Sequence, residues 1–202
     1  MHSLPTIGND LIDLQDPACK DKFANPRFLK RICQEEECRV ISQSINPHLM
    51  LWTLWACKEA AYKALSKQEP IPFIPPHWIC EQIDEKHWCC SYQGKQTIIR
   101  MVLDSPDYLH AIGVVEGDKK AFRFIVDRVF VMPLGTSESS YVRQQAQILL
   151  TQQGYPDCTI VREFQDGKLL PPQIMVEGKR LLECDVSLSH DGRYGAVAIG
   201  IR

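Results

Sequence analysis

The chain has 202 residues, with 23 lysines and arginines against 25 aspartates and glutamates, a formal net charge of −2. Hydrophobic residues make up 45% and charged residues 24%, an ordinary globular composition that excludes a disordered chain or a long coiled coil. A balance so near neutral gives no sequence-independent grip on nucleic acid or on an anionic membrane, so any anionic ligand must be held by a local cluster of basic groups. The length allows one domain or two small ones.

The N-terminal run MHSLPTIGNDLIDL lacks a basic segment and carries Asp10 and Asp13, which is unlike a secretion signal. Thr6–Leu14 reads as a short strand in which Gly8 allows close backbone approach. Residues 16–50 place Phe23, Phe28, Leu29, Ile32, Val40 and Ile41 at helical spacing interrupted by Pro17, Pro26 and Pro47, a pattern of several short helices. Leu49–Ser66 is the clearest helix, without an internal Gly or Pro, and Trp55, Glu59 and Lys63 follow one another at i, i+4 and i+8. A proline-rich stretch over 69–78 ends it and continues in extended form.

Strands follow in HWCCSY and QTIIRMVL, joined at Gln93-Gly94-Lys95, then in YLHAIGVV and, over 123–134, RFIVDRVFVMPL. Thr136 or Ser137 can cap a helix SSYVRQQAQILLTQQ that stops at Gly154. TIVREF is strand-like, DGKLLPP a turn and loop, and DVSLSHDGRYGAVAIGI two strands around a loop. The plan is α+β, with two halves that look alike: strand, helix, then about three strands in each. Tyr108–Val115 also echoes Tyr194–Ile201. The polar run Gly117–Lys120 marks the seam, giving halves 1–117 and 118–202. The nine cysteines form no C-x-x-C motif and are odd in number, the pattern of free buried thiols in a reducing cytoplasm. No apolar run near either end is long enough to span a bilayer; the longest is Gly195–Ile201. A cytoplasmic protein is expected.

Two carboxylates draw notice. Asp10 lies in a strand that otherwise wants burial, and Glu59 lies mid-helix on a largely apolar face. With a phosphate they would suit Mg²⁺, which takes oxygen ligands; otherwise Asp10 ends its strand and Glu59 pairs with Lys63 at i, i+4. In Ser187-Leu-Ser189-His190-Asp191-Gly192 the two hydroxyls share a strand face leading to a turn, which is either a phosphate-binding turn or a plain hairpin with an exposed histidine. The segment is not a G-x-S-x-G nucleophile elbow. Lys168 and Arg143 are basic groups that could join the turn. Neither G-x-x-x-x-G-K-[ST] nor G-x-G-x-x-G occurs, which disfavours P-loop and Rossmann enzymes.

Together, three segments resemble the 4′-phosphopantetheinyl transferase superfamily. Gly8-Asn9-Asp10 is similar to its Gly-x-Asp strand, Trp55-Ala-Cys-Lys58-Glu59-Ala-Ala-Tyr-Lys63 to its W-x-x-K-E-[AS]-x-x-K helix, and Ser187-Leu-Ser189-His190 to its S-x-S-H segment. Gly167-Lys168, with Pro171 beyond, is similar to its G-K-P loop. The order of the motifs resembles the short holo-acyl-carrier-protein synthase type, whereas the length is that of the double-length type. The expectation is two similar α+β halves forming a monomeric pseudo-dimer, with the active site in the cleft between them.

The resemblance implies transfer of the 4′-phosphopantetheine arm of coenzyme A to a serine of an apo acyl or peptidyl carrier protein, releasing 3′,5′-ADP. It implies that Asp10 and Glu59 hold Mg²⁺, or Mn²⁺ in its place. Glu59 takes the serine proton, directly or through a metal-bound water, and Lys63 and Lys58 neutralise phosphate charge. Ser189, His190, Lys168 and Arg143 bind the 3′-phosphate and adenosine end of coenzyme A. Double-length members often have a second acid where this chain has Ile12; Asp13 would face away from Asp10 on a regular strand and is not assigned as a ligand. The competing expectation is a homologue that binds a carrier protein or coenzyme A without transfer.

Overall fold

Strand β1 (Ile7–Asp13) is buried along its whole length although it carries Asn9, Asp10 and Asp13. Such a strand must find partners for its polar groups. In the computed structural model, which describes residues 4–165 and 167–202, the partners come from a paired strand, an overlying helix and a second sheet.

After β1 the chain passes through short turns into α1 (Pro26–Ile32), α2 (Glu35–Gln43) and α3 (Pro47–Leu65). Of the prolines that interrupt the helical spacing, Pro26 and Pro47 begin α1 and α3, and Pro17 begins one of the short turns before them. Asn25 accepts from the Arg27 and Phe28 N–H groups ahead of α1, Asn46 accepts from the Leu49 N–H ahead of α3, and a proline follows each cap directly. Helix α3 lies on an antiparallel sheet of order β1-β5-β4-β3-β2, completed by β2 (Ile79–Gln82), β3 (His87–Tyr92), β4 (Lys95–Val102) and β5 (Tyr108–Val115). The short edge strand β2 was not foreseen from the sequence. Gln93 and Gly94 take φ of 49° and 82° to close the β3–β4 hairpin.

The helix comes very close to the sheet. Ala60, Ala61 and Ala64 are fully buried, and facing them is Gly8, whose partner across the β1–β5 ladder is Gly113. A Cβ on Gly8 would lie 2.0 Å from the Ala60 carbonyl oxygen and 2.5 Å from the Ala64 nitrogen. Only glycine fits there.

The second half runs β6 (Ile125–Val131), α4 (Glu138–Gln152), β7 (Cys158–Val161), β8 (Phe164–Gln165), β9 (Lys168–Leu169), β10 (Gln173–Val176), β11 (Lys179–Arg180), β12 (Cys184–Asp191) and β13 (Tyr194–Ile201). Helix α4 packs Val142, Ala146, Leu149 and Leu150 toward a sheet of order β12-β13-β6, and β11-β10-β7 form a smaller sheet beside it. The strand expected over TIVREF is divided between β7 and β8, β9 lies within the stretch read as turn and loop, and β10 and β11 lie where no element was foreseen. In each main sheet the first strand pairs with the last, and the last pairs with the strand before it: β1-β5-β4 and β6-β13-β12. The two echoing segments are β5 and β13.

The sheets meet through Ile7, Ile112 and Val114 of the first half and Phe122, Ile125 and Ala198 of the second. Arg100 reaches Asp127 at 2.6 Å across this junction. The free edge of β1 is closed in an uncommon way. Asp185, Ser187, Ser189 and Asp191, alternate residues of β12, accept through their side-chain oxygens from the N–H groups of Ile7, Asn9, Leu11 and Asp13 at 2.8, 2.8, 3.1 and 2.8 Å. Side chains here do the work that a neighbouring backbone does elsewhere in a sheet.

All nine cysteines are free thiols, seven buried and two half-buried. Among the described residues no helix is long and apolar enough to cross a membrane.

Candidate active site

The contact of Gly8 with Ala60 brings Asp10 of β1 alongside Glu59 of α3, and the β12 ladder brings Ser189 to the same place. The result is a cavity of about 310 Å³ bordered by Asp10, Glu59 and Lys63 from the first half and Ser189, His190 and Asp191 from the second. Five of the eight residues expected from the sequence therefore share one cavity between the sheets.

Lys63 Nζ donates to Asp10 Oδ1 at 2.7 Å rather than pairing with Glu59, and Ser189 Oγ donates to the same oxygen at 3.1 Å. Asp10 Oδ2 is buried without a hydrogen-bond partner. Burial and the negative charge of Asp10 push the Glu59 carboxyl up to about 7, against the pull of Lys63. One carboxylate with an orphaned oxygen, beside a second that resists ionising, fits a divalent cation of the Mg²⁺ class. Among the described residues no group of three or more His, Cys, Asp or Glu side chains is placed to hold a metal. Two carboxylates completed by water and a substrate phosphate are the usual Mg²⁺ arrangement.

His190 continues strand β12 rather than occupying a turn, and its Nδ1 is 3.2 Å from Glu138 Oε2 in the first turn of α4. Arg143 donates to Ser139 Oγ at 2.9 Å on its own helix and does not border the cavity. Arg162 borders it instead, near the charge of Arg143. Nothing in the strand TIVREF marks Arg162 beforehand. Asp191 was also missed as a cavity residue; its alternation with Ser187 and Ser189 was the available signal. Burial, with the neighbouring charges of Asp10, Asp16 and Asp13, pushes its carboxyl above the usual range. The Lys168 side chain and the adjoining Asp166 lie outside the described residues.

Lys58 requires a correction. Its Nζ donates to the Ile32 carbonyl at 2.8 Å and pairs with Glu37 Oε2 at 2.5 Å, both ion-pair side chains being buried. Glu37 also accepts from the Gln34 N–H at the start of α2. Lys58 thus joins α3 to α2 on a face away from the cavity. Asp13 is equally occupied, since Arg193 grips both of its oxygens at 2.8 Å and holds its carboxyl below the usual range.

The cleft between the two sheets gathers three carboxylates, Asp10, Glu59 and Asp191, with Lys63, Arg162 and His190. The family model described as ACPS, 4′-phosphopantetheinyl transferase superfamily, matches residues 6–111, just over half of the chain. The chain belongs to that superfamily. The match includes Asp10, Glu59 and Lys63 and ends before Ser189 and His190. Among solved structures, the crystal structure of holo-[acyl-carrier-protein] synthase from Thermotoga maritima is similar at 14% identity, over 83% of each chain, with a TM-score of 0.39. No curated protein matches the chain.

Proposed function

We propose that the protein moves the 4′-phosphopantetheine arm of coenzyme A to a serine of an apo carrier protein and releases 3′,5′-ADP, as a transferase of the holo-acyl-carrier-protein synthase type. The observation that carries this reading is the convergence of Asp10, Glu59 and Lys63, all within the segment that matches the superfamily, on a cavity bordered by Ser189 and His190.

In the reaction a new bond forms between the serine oxygen and the phosphorus that bears the pantetheine arm. The bond from that phosphorus to the bridging oxygen of the pyrophosphate breaks, and 3′,5′-ADP leaves with that oxygen. The serine proton passes to Glu59, directly or through a metal-bound water, a role that needs its carboxyl ionised. Lys63 stabilises charge that develops on the departing phosphate. His190, with Arg162 at the rim, faces the anionic nucleotide end; Arg162 rather than Arg143 reaches the cavity. Asp10 and Glu59 would hold Mg²⁺, or Mn²⁺ in its place, which when bound supplies charge neutralisation at the pyrophosphate.

The chain is read as two related halves, 1–117 and 118–202, forming a monomeric pseudo-dimer around this cavity. The shared β1-β5-β4 and β6-β13-β12 plan supports it. The test is to incubate the protein with coenzyme A, Mg²⁺ and a panel of apo carrier proteins and to look for the added arm by mass spectrometry. Addition to one carrier supports transfer. Coenzyme A bound without addition to any carrier makes the protein a binding homologue.

A further inference from the structure

We infer that Ser189 is a positioning residue for Asp10 rather than a contact to the nucleotide, an inference that rests on the metal-dependent transfer reading above. A serine hydroxyl has one proton to donate and two lone pairs to offer. The Leu11 N–H at 3.1 Å and Lys63 Nζ at 3.4 Å donate to Ser189 Oγ. Its one proton then goes to Asp10 Oδ1 at 3.1 Å. The hydroxyl is buried, fixed by the β1 backbone on one side and committed to the carboxylate on the other. It retains no donor for a substrate phosphate.

The β12 ladder contains its own control. Asp185, Ser187, Ser189 and Asp191 all close the β1 edge with side-chain oxygens, but among these four only Ser189 also hydrogen-bonds a carboxylate that borders the cavity. Ser187 accepts from the Asn9 N–H at 2.8 Å and makes no bond to Asp10 among the described hydrogen bonds. Removing either hydroxyl breaks one rung of the junction. Removing Ser189 also takes away one of the two donors to Asp10 Oδ1, leaving Lys63 Nζ alone to hold the carboxylate in the orientation that leaves Oδ2 available. Groups of this kind, behind a metal ligand, commonly set affinity by about tenfold to a hundredfold.

The experiment titrates Mn²⁺ against the enzyme alone, followed by electron paramagnetic resonance, for wild type, Ser189→Ala, Ser187→Ala and Ser189→Thr. The same four proteins are then assayed for transfer with kcat and KM for coenzyme A resolved. Expected are about tenfold or weaker Mn²⁺ binding and a reduced kcat in Ser189→Ala at little-changed KM, wild-type binding in Ser187→Ala, and recovery in Ser189→Thr, which keeps the hydroxyl. Wild-type Mn²⁺ affinity in Ser189→Ala with a raised KM would return Ser189 to substrate binding. Equal losses in Ser187→Ala and Ser189→Ala would reduce the effect to the sheet junction, and either result overturns the inference. Failure of the wild type to transfer the arm to any carrier would instead overturn the functional reading, so the two failures are distinct.

Discussion

Gly8 of the first strand and Ala60 of the long helix are in backbone contact, so that a side-chain carbon on Gly8 would sit 2.0 Å from the Ala60 carbonyl oxygen. Gly8 is two residues before Asp10, and Ala60 directly follows Glu59. The contact therefore sets the separation between the two carboxylates. The absence of a side chain at one position is what brings the acids of two elements to one cavity.

Gly8→Ala should push α3 off the sheet. Overpacking of this kind costs about 1–3 kcal/mol, and the obstacle here is backbone rather than a side chain that could swing aside. Urea unfolding should show the loss, and transfer should fall further than the unfolded fraction accounts for, because Asp10 and Glu59 move apart. Wild-type transfer in a folded Gly8→Ala protein would contradict the link between this contact and the site.

Glu59→Gln should abolish transfer without unfolding the protein. Loss of a positioned base lowers rates by about 10²–10⁴, and removing the charge beside Asp10 relieves a repulsion in the resting protein. Single-turnover assays alongside thermal melts separate the two effects. Retained activity would take Glu59 out of the mechanism.

Lys58→Ala should act on stability and not on substrate affinity. It leaves Glu37 buried without its partner, and breaking a buried pair in this way costs about 3–5 kcal/mol. The double variant Lys58→Met with Glu37→Leu should recover much of the loss, because neither charge is then buried alone. In both, KM for coenzyme A measured on folded protein should stay at the wild-type value; a raised KM would restore Lys58 as a substrate contact.

His110 should contribute to acid sensitivity. Fully buried in β5, with Asn9 Nδ2 at 3.1 Å from its Nε2, it is held down to about 3 by burial and by the charges of Arg100 and Lys63. The unfolded chain protonates this residue near 6.5, the ordinary histidine value. Between these values the unfolded state binds more protons, so stability rises with pH and is lost as pH falls from about 6.5 toward 3. The slope contributed is at most about 1.4 kcal/mol per pH unit. Denaturant melts at stepped pH should show a shallower dependence in His110→Gln, and an unchanged profile would refute the assignment.

The local elements were largely legible. Apolar periodicity and caps marked β1, α3, the β3–β4 hairpin, β5, α4 and the β12–β13 pair, because these patterns are written in consecutive residues. The short strands β2, β10 and β11 were not, since two to four residues carry too little periodicity to distinguish them from loop. Within the site, the W-x-x-K-E motif pointed to Lys58 and Glu59 together, yet adjacent helical residues face different ways. Only the packing of α2, which supplies Glu37, decided that Lys58 faces inward to a partner.

The sequence by itself determined the chemistry available: Asp10, Glu59, Lys63 and His190, on recognisable elements, in the order of a known superfamily. Its near-zero net charge is consistent with that, since a few local groups suffice for a small anionic site. The tertiary structure decided which of those groups lie together. Glu59 and Ser189 are separated by most of the chain, and their meeting depends on the Gly8–Ala60 contact and the side-chain ladder from β12 to β1. Arg162 and Asp191 joined them, and Lys58 left, for the same reason. Long-range packing is a property of surfaces that form only when the elements are docked, and no window of consecutive residues encodes it.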